Sequence, residues 1–305
     1  MGPIIHCSPA LTRVENIIGY NRKDSIMKKL LKILKVLTVF LIIVIIILFA
    51  AFDNRLKIVN YKIKSDCISS PVKIALIADL HCCLYGENQS EIIKAIDKKK
   101  PDAVLLAGDI FDDYYINENS HILINDIVKR YKTYYVSGNH EWWSGMMYEH
   151  FEYLKDVGVT VLRGNSDYLT VNNNTIVISG VDDPEVNVYD TSYKTYEEQL
   201  KTVAEDINSE YYNVLLTHRP ENAYQYFNYD FDLVLSGHAH GGQGRIPFVL
   251  NGLYAPNQGF FPELAGGKYD FDNKKMIVSR GLSRENTELP RIFNRPELVF
   301  VSLTN

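Results

Sequence analysis

Five short apolar runs in this chain each end on a residue that can bind a metal ion. With the polar residues that follow them, they read IALIADLH, VLLAGDIFDD, YYVSGNHE, VLLTH and VLSGHAH. Short runs rich in Val, Ile and Leu are typical of strands that are buried on both faces of a sheet. Ligands of open α/β sheets bind beyond the carboxyl ends of the strands, so the five ends predict one shared site at one edge of the fold.

From Pro71 onward the chain alternates the patterns of strands and helices. Val72–Ala78 is an apolar run, Ser90–Lys99 has apolar residues at helical spacing, and Ala103–Ala107 is the next run. This alternation predicts an α/β fold with parallel strand pairs and helices on the sheet faces. Further strands are expected near residues 133–136, 159–162, 169–171, 175–180, 214–217, 233–236, 268–271, 275–279 and 298–302. Further helices are expected near residues 122–128, 193–207 and 221–227.

Nothing after residue 60 looks like an internal repeat, a low-complexity linker or a second domain boundary. We therefore expect one domain over residues 71–305, with residues 53–70 as a linker and lead-in. The formal net charge of −5 argues against a general nucleic-acid-binding protein, because such proteins are usually basic. Cys82 and Cys83 directly follow His81, but no CxxC or zinc-finger spacing is present, so packing is the simpler interpretation than metal binding.

Residues 36–52 form an apolar run without a charged residue, VLTVFLIIVIIILFAAF. With the apolar residues before it, the run reaches the roughly twenty residues that span a bilayer, and we expect a transmembrane anchor over residues 30–52. Lysines on its N-terminal side predict a single-pass cell-membrane protein whose N-terminus is cytoplasmic and whose folded domain is extracytoplasmic. Residues 1–29 would then be cytoplasmic or disordered, with Met27 as an alternative start. A cleaved signal peptide and a buried core helix are the other interpretations of the run.

Seven residues at the ends of the five runs are candidate metal ligands. All offer nitrogen or oxygen donors: Asp79, His81, Asp109, Asn139, His218, His238 and His240. One ion takes about four to six ligands, so seven with a shared carboxylate indicate two ions side by side. Asp109 is the natural shared ligand, because a carboxylate has two oxygens and Gly108 permits a sharp turn before it. Imidazoles suit Mn, Zn or Fe better than Ca, so we expect two divalent ions of that kind as the cofactor.

Each candidate taken alone has a structural alternative. Asp79 could cap a helix, His218 could be a buried core histidine, and His238 could lie in a turn. The five blocks in this order are what indicates a site. Two further pairs are open: Asp112 with Asp113 could contact the ligands from behind or simply be solvated, and Trp142 with Trp143 could pack or line a cleft.

The five blocks resemble the calcineurin-like metallophosphoesterase superfamily, whose pattern is D-x-H, G-D, G-N-H-[DE], H and G-H-x-H. The resemblance covers residues 71–250. Within it, the N-terminal anchor and the segments 180–183, 218–220 and 237–243 are similar to those of YkuE/YaeI-type membrane-anchored phosphoesterases. The fold that this resemblance implies is a four-layer α/β/β/α sandwich, preceded here by one transmembrane helix. Residues 71–305 would be its catalytic domain.

The resemblance also implies a role for each site residue. The ligands of one ion would be Asp79, His81, Asp109 and His240. Those of the second ion would be Asp109, Asn139, His218 and His238. His140 would be the catalytic residue, as proton donor or oxyanion stabiliser, and it is also the one histidine of the blocks that is left without a metal to bind.

These residues indicate a metal-dependent phosphoric ester hydrolase. The anchor favours a substrate near the membrane, a lipid-linked or envelope phosphodiester at the outer face. The alternative enzyme is a pyrophosphohydrolase of the UDP-2,3-diacylglucosamine type, and the alternative outside enzymes is a non-catalytic membrane-tethered binding protein. A Ser/Thr protein phosphatase is disfavoured because the block GDIFDDY lacks the arginine of those enzymes. We expect no specific nucleic-acid partner, and the sequence does not predict the oligomeric state.

Overall fold

The computed structural model describes residues 9–284 and 289–305, with side chains from residue 24 onward in those ranges. The chain divides into two units, Met1–Ala51 and Phe52–Asn305. In the first unit, helix α1 covers Pro9–Ala51. Its segment Asp24–Ala51 contains an 18-residue stretch with a mean hydropathy of 3.2 and no buried side chain, so it is long and apolar enough to cross a membrane.

The expected N-terminal segment, residues 1–29, lies partly in this helix. Residues 9–29 belong to α1, and their cytoplasmic location stays a prediction. Residues 1–8 of that segment lie outside the described residues.

The second unit contains the remaining helices and all the strands of the described chain. The helices are α2 (Ser90–Lys99), α3 (Glu118–Ile127), α4 (Asn139–Trp143), α5 (Met147–Asp156), α6 (Val186–Tyr189), α7 (Tyr196–Glu205) and α8 (Ala223–Tyr226). The strands are β1 (Lys57–Lys64), β2 (Val72–Ile77), β3 (Ala103–Ala107), β4 (Lys132–Val136), β5 (Thr160–Val161), β6 (Asn165–Val171), β7 (Asn174–Gly180), β8 (Tyr212–Leu216), β9 (Leu233–Ser236), β10 (Tyr254–Ala255), β11 (Gly259–Phe260), β12 (Gly267–Phe271), β13 (Lys274–Val278) and β14 (Glu297–Thr304).

Two six-stranded sheets dominate this unit, in the orders β1-β14-β2-β3-β4-β5 and β12-β13-β9-β8-β7-β6. Strands β2 to β5 run parallel in the first sheet, and β7, β8, β9 and β13 run parallel in the second. The carboxyl ends of neighbouring parallel strands meet at one edge of their sheet. Each sheet therefore presents its strand ends, and the polar residues after them, at one edge.

The side chains of the central strands alternate between two cores. On β2, Ile74 and Leu76 pack between the sheets with Val214 of β8, whereas Ala75 points to the outer core that contains Ile92 of α2. Because successive side chains of a strand point to opposite faces, this division requires a layer on each side of each sheet. The result is the predicted four-layer α/β/β/α sandwich.

Strand β1 is the main departure from the expected organisation, because it lies in residues 53–70, which we expected to be a linker and lead-in. It pairs in parallel with β14 over its whole length, from Lys57 opposite Glu297 to Lys64 opposite Thr304. The strand is at the sheet edge and largely exposed. Its sequence therefore contains Asn60 and several lysines, and it lacks the continuous apolar run that predicts a buried strand. Its partner is also the last strand of the chain, which a local pattern cannot show.

Candidate metal centre

The structure brings the predicted ligands together at the strand ends. The donor atoms of Asp79, His81, Asp109 and His240 all lie within 4.8 Å of one another, and those of Asp109, His218 and His238 form a second such group. All six side chains are buried. Asp109 belongs to both groups, and its Oδ2 lies 3.6 Å from His81 Nε2 and 3.1 Å from His218 Nε2. One carboxylate oxygen thus lies close to one histidine of each group, which suits a ligand shared by two ions.

Asn139, the seventh candidate, is the first residue of α4, directly after β4. It is next to the Asp109 carboxylate, because the backbone N–H of His140 donates to Asp109 Oδ1 at 3.0 Å. Its side-chain Oδ1 is buried and has no hydrogen-bond partner among the described residues. A buried amide oxygen without a donor costs free energy unless something else binds it.

Sharp backbone turns direct these side chains into the site. Asp79, Asp109, His238 and His240 have positive φ angles of 51°, 52°, 67° and 46°, which are uncommon for residues other than glycine. Hydrogen bonds between the turns hold this geometry: Asp79 N donates to Gly108 O at 3.0 Å, and His238 N donates to Asp79 Oδ1 at 2.8 Å. Strained conformations that neighbours hold in place are frequent at functional sites.

Two glycines allow the turns after β3 and β4 to approach each other. A Cβ on Gly138 would lie 2.2 Å from Asp109 Oδ1, and one on Gly108 would lie 2.6 Å from His218 Nδ1. Gly108 also has a φ of +78°, a conformation that favours glycine. The glycines of the GD and GN pairs thus let the backbones of the two turns lie close together.

Glu141 organises the same two turns, a role that the sequence interpretation missed. Its Oε2 accepts from the N–H groups of Asp109 (3.0 Å) and Gly138 (2.8 Å), and its Oε1 accepts from those of Ile110 (2.7 Å) and Phe111 (3.1 Å). Burial and the charge of Asp109 raise the pKa of Glu141 to about 7. The sequence contained a signal for this role, since Glu141 is the acidic fourth residue of the GNHE block.

The histidine ligands are oriented from behind. His81 Nδ1 lies 2.8 Å from Asp112 Oδ2, and His218 Nδ1 lies 2.7 Å from the Ala107 carbonyl oxygen, which leaves both Nε2 atoms facing Asp109. A carboxylate or carbonyl behind a histidine fixes its tautomer and increases its basicity as a metal ligand. Asp112 therefore contacts the candidate ligand His81 from behind, which is one of the two roles that the sequence left open for it.

His238 is held by a second group that sequence analysis did not assign. Asn257 Oδ1 lies 2.8 Å from His238 Nε2 and accepts from Arg219 Nη1 at 2.5 Å. Arg219 makes a bidentate ion pair with Asp183, with bonds of 2.5 and 2.9 Å. Arg219 and Asp183 belong to the HRP and GVDD segments, whereas nothing in the sequence marks Asn257.

The available atoms fit divalent cations. Besides Asn139 Oδ1, Asp79 Oδ2 and His240 Nδ1 are buried without a hydrogen-bond partner in the described part of the chain. Carboxylate, amide and imidazole donors are the ligands that Mn, Zn and Fe accept in proteins. The residues present therefore suit the two ions that the sequence predicts.

Burial and the charge of the Asp109 carboxylate set the ionisation of the ligand side chains. Burial raises the pKa of Asp109, but the charges of His218 and His140 outweigh it and hold that pKa well below its usual range. Burial lowers the pKa of His218, but Asp109 outweighs this and raises it to about 10. Burial, with the nearby charges of Arg219 and His81 respectively, holds the pKa values of His238 and His240 well below the usual range. These two imidazoles are neutral, the form that binds a metal.

His140 lies at the solvent side of the ligands. Its Nδ1 is 2.7 Å from Asp113 Oδ1, and about a quarter of its side chain (26%) is exposed. The ring is edge-on to His81, with centroids 4.4 Å apart, and lies 4.9 Å from the ring of Trp143. Trp143 is exposed and stands at the mouth of the site, whereas Trp142 is buried.

Residues 72–242 match the model of the family described as calcineurin-like phosphoesterase, which is more than half of the chain. The chain belongs to this family. A metallophosphoesterase of Campylobacter jejuni without a characterised activity is 30% identical over 84% of this chain and 66% of its own length. A metallophosphoesterase of Aquifex aeolicus is 28% identical over 81% and 92%, and the metallophosphoesterase YkuE of Bacillus subtilis is 28% identical over 81% and 85%. The predicted enzyme class, a metal-dependent phosphoric ester hydrolase, is confirmed at the level of the family.

Proposed function

We propose that this calcineurin-like phosphoesterase is a dinuclear metal-dependent phosphodiesterase of the cell membrane. Residues 30–52 would anchor it, and its catalytic domain would act outside the cytoplasm on a lipid-linked or envelope phosphodiester. The observation that carries the proposal is Asp109, whose Oδ2 lies close to both His81 and His218 and whose carboxylate belongs to both groups of buried donors.

Each ion would have four ligands from this chain. Asp79, His81, Asp109 and His240 would bind one ion, and Asp109, Asn139, His218 and His238 would bind the other. When bound, two such cations supply positive charge to the phosphoryl oxygens and lower the pKa of coordinated water. A non-catalytic binding protein would not need this set, and all seven ligand positions are filled.

His140 is the group that would move a proton. Asp113 binds Nδ1, which orients the ring and leaves Nε2 for the leaving oxygen of the substrate. Asp109 fixes the same residue through its backbone N–H. A general acid in this position contributes about 10²- to 10⁴-fold to the rate.

The test of the metal centre uses the full chain in detergent micelles, loaded with Mn or Zn and assayed on phosphodiesters and monoesters. Asp109→Asn should lose most of its bound metal and its hydrolysis of both, whereas Asp206→Asn, a change at an exposed carboxylate, should retain both. If Asp109→Asn kept two equivalents of metal and the wild-type rate, the assignment of the site would be wrong.

The test of His140 depends on the leaving group. His140→Gln should keep its metal, lose about 10²-fold or more on esters with alkyl alcohol leaving groups, and lose much less on p-nitrophenyl esters, whose leaving group needs no proton. An equal loss on both kinds of ester would show that His140 has a structural or binding role instead.

The extracytoplasmic location has its own test at Cys67, an exposed residue near the start of the catalytic unit. In intact cells, a membrane-impermeant maleimide should label the wild-type chain, and Cys67→Ser should remove that label. Labelling of Cys67 that requires cell lysis would place the domain in the cytoplasm.

A further inference from the structure

The segment from Gly241 to Pro262 has few charges and carries several exposed apolar side chains. Its one charged residue is Arg245. Phe248 is fully exposed, and Val249, Phe260 and Phe261 have exposed fractions of 80%, 70% and 67%. Exposed apolar surface of this kind marks an interaction site.

The folded backbone holds these side chains outward. Leu253 N donates to the carbonyl oxygens of Gly242 (2.8 Å) and Gly244 (2.7 Å), and Phe261 N donates to Leu253 O at 2.8 Å. Strands β10 and β11 pair in antiparallel fashion, with Tyr254 opposite Phe260. The exposed rings are therefore presented by an ordered loop, residues 246–261, which we name the apolar loop.

The inner side of the apolar loop is part of the metal centre. Asn257, between β10 and β11, contacts the candidate ligand His238 and the supporting Arg219. The loop also begins at Ile246, a few residues after the candidate ligand His240. A surface that binds the outer side of the loop would therefore lie beside the mouth of the site.

Two further exposed apolar segments lie at the same edge of the fold. Tyr114 and Ile116 are each 85% exposed and follow Asp113, the partner of His140. Trp143 and Met146 are also exposed and follow His140 after β4. Phenylalanine, tyrosine and tryptophan with few charges are typical of surfaces that lie at a membrane interface.

We propose that the apolar loop docks on the surface of a lipid bilayer, so that the metal centre acts on phosphoesters whose apolar part stays in the membrane. The bilayer is favoured over a protein partner because helix α1 can cross a membrane in the same chain, and because the loop offers almost no charge for a polar rim. The docking does not depend on the catalytic activity. Its consequence for the substrate rests on the proposed function.

The experiment places a tryptophan on the apolar loop of the full chain in lipid nanodiscs. Phe248→Trp is compared with Tyr168→Trp, an exposed aromatic position on β6, and with wild type to subtract the two native tryptophans. The nanodiscs contain phosphatidylcholine and phosphatidylglycerol, with or without bromine on the acyl chains. We expect the added emission of Phe248→Trp to be blue-shifted and quenched by brominated lipid, and that of Tyr168→Trp to be neither.

Two results would overturn the proposal. Emission of Phe248→Trp that is quenched by aqueous acrylamide and unaffected by brominated lipid would show a loop in water. Emission that shifts with protein concentration and ignores bromine would show that a second copy covers the loop. Phe260→Trp repeats the measurement if Phe248→Trp does not fold. The fluorescence measurement does not depend on catalysis. A negative docking result would therefore not contradict the proposed hydrolysis, and a negative activity assay would not contradict the docking.

Discussion

Substitution of Gly108 by alanine should damage the metal centre through two separable effects. The first is the φ of +78°, where a Cβ costs about 1–2 kcal/mol. The second is overlap, because the new Cβ would lie 2.6 Å from His218 Nδ1 and 2.7 Å from Gly138 N. Overpacking of this kind costs about 1–3 kcal/mol.

His218 would have to move and would lose its hydrogen bond to the Ala107 carbonyl, which contributes about 1 kcal/mol to stability. The sum is a loss of about 3–6 kcal/mol in the free energy of unfolding. Gly145→Ala is the matched control, since Gly145 has a φ of +70° and no atom within 4 Å of the added Cβ. It should lose about 1–2 kcal/mol for the conformation alone.

The assay is thermal unfolding of the metal-free chain in detergent, followed by titration with Mn or Zn. A difference of about 3 kcal/mol between the two variants corresponds to a Tm difference of roughly 6–12 °C for a domain of this size. Gly108→Ala should also bind metal about 10- to 100-fold more weakly, since its ligand His218 is displaced. Equal Tm values and equal affinities for the two variants would refute the close packing at Gly108.

Two further predictions concern residues beside the site. Asp112→Asn removes the charge behind His81 and should weaken metal binding by about 10- to 100-fold, whereas Asp206→Asn should not; equal affinities would show that Asp112 is not a supporting residue. His150 stacks on Phe111, and burial, with a smaller contribution from His121 against an opposing one from Glu149, lowers its pKa from 6.5 to about 4. Between pH 6.5 and 4 the unfolded state therefore binds a proton that the folded state does not, so roughly 3 kcal/mol of stability is lost as the pH falls through this range. Denaturation of His150→Phe should show a flatter pH dependence, and parallel curves would contradict the assigned pKa.

The sequence was sufficient for the parts of the site that lie next to buried strands. Asp79, Asp109 and His218 each follow an apolar run. The carboxyl ends of parallel strands bring such residues together independently of the conformation of the connecting loops. The contacts of Glu141 could not be derived in this way, because its four donors come from two turns that meet only in the folded protein. The contact of Asn257 with His238 was even less predictable, since Asn257 lies in a loop without any periodic pattern.

The same contrast holds for the fold. The central strands are buried on both faces and carry continuous apolar runs, so their positions were predicted to within a few residues. Strand β1 is polar, lies at an edge and gains its regular structure from a partner that is remote in sequence. Local propensity contains no information about such a partner.

The position of β14 has a consequence for biosynthesis. This last strand, Glu297–Thr304, lies between β1 and β2, which are among the first segments of the catalytic unit to be synthesised. The first sheet cannot form its final order until β14 has left the ribosome, and the pairing then closes a loop of nearly the whole unit Phe52–Asn305. The other strands of this sheet are synthesised before this step, so the nascent unit must remain unfolded or partly folded until β14 joins it. A stop codon in place of Glu297 would leave β1 without its partner and β2 at an exposed edge.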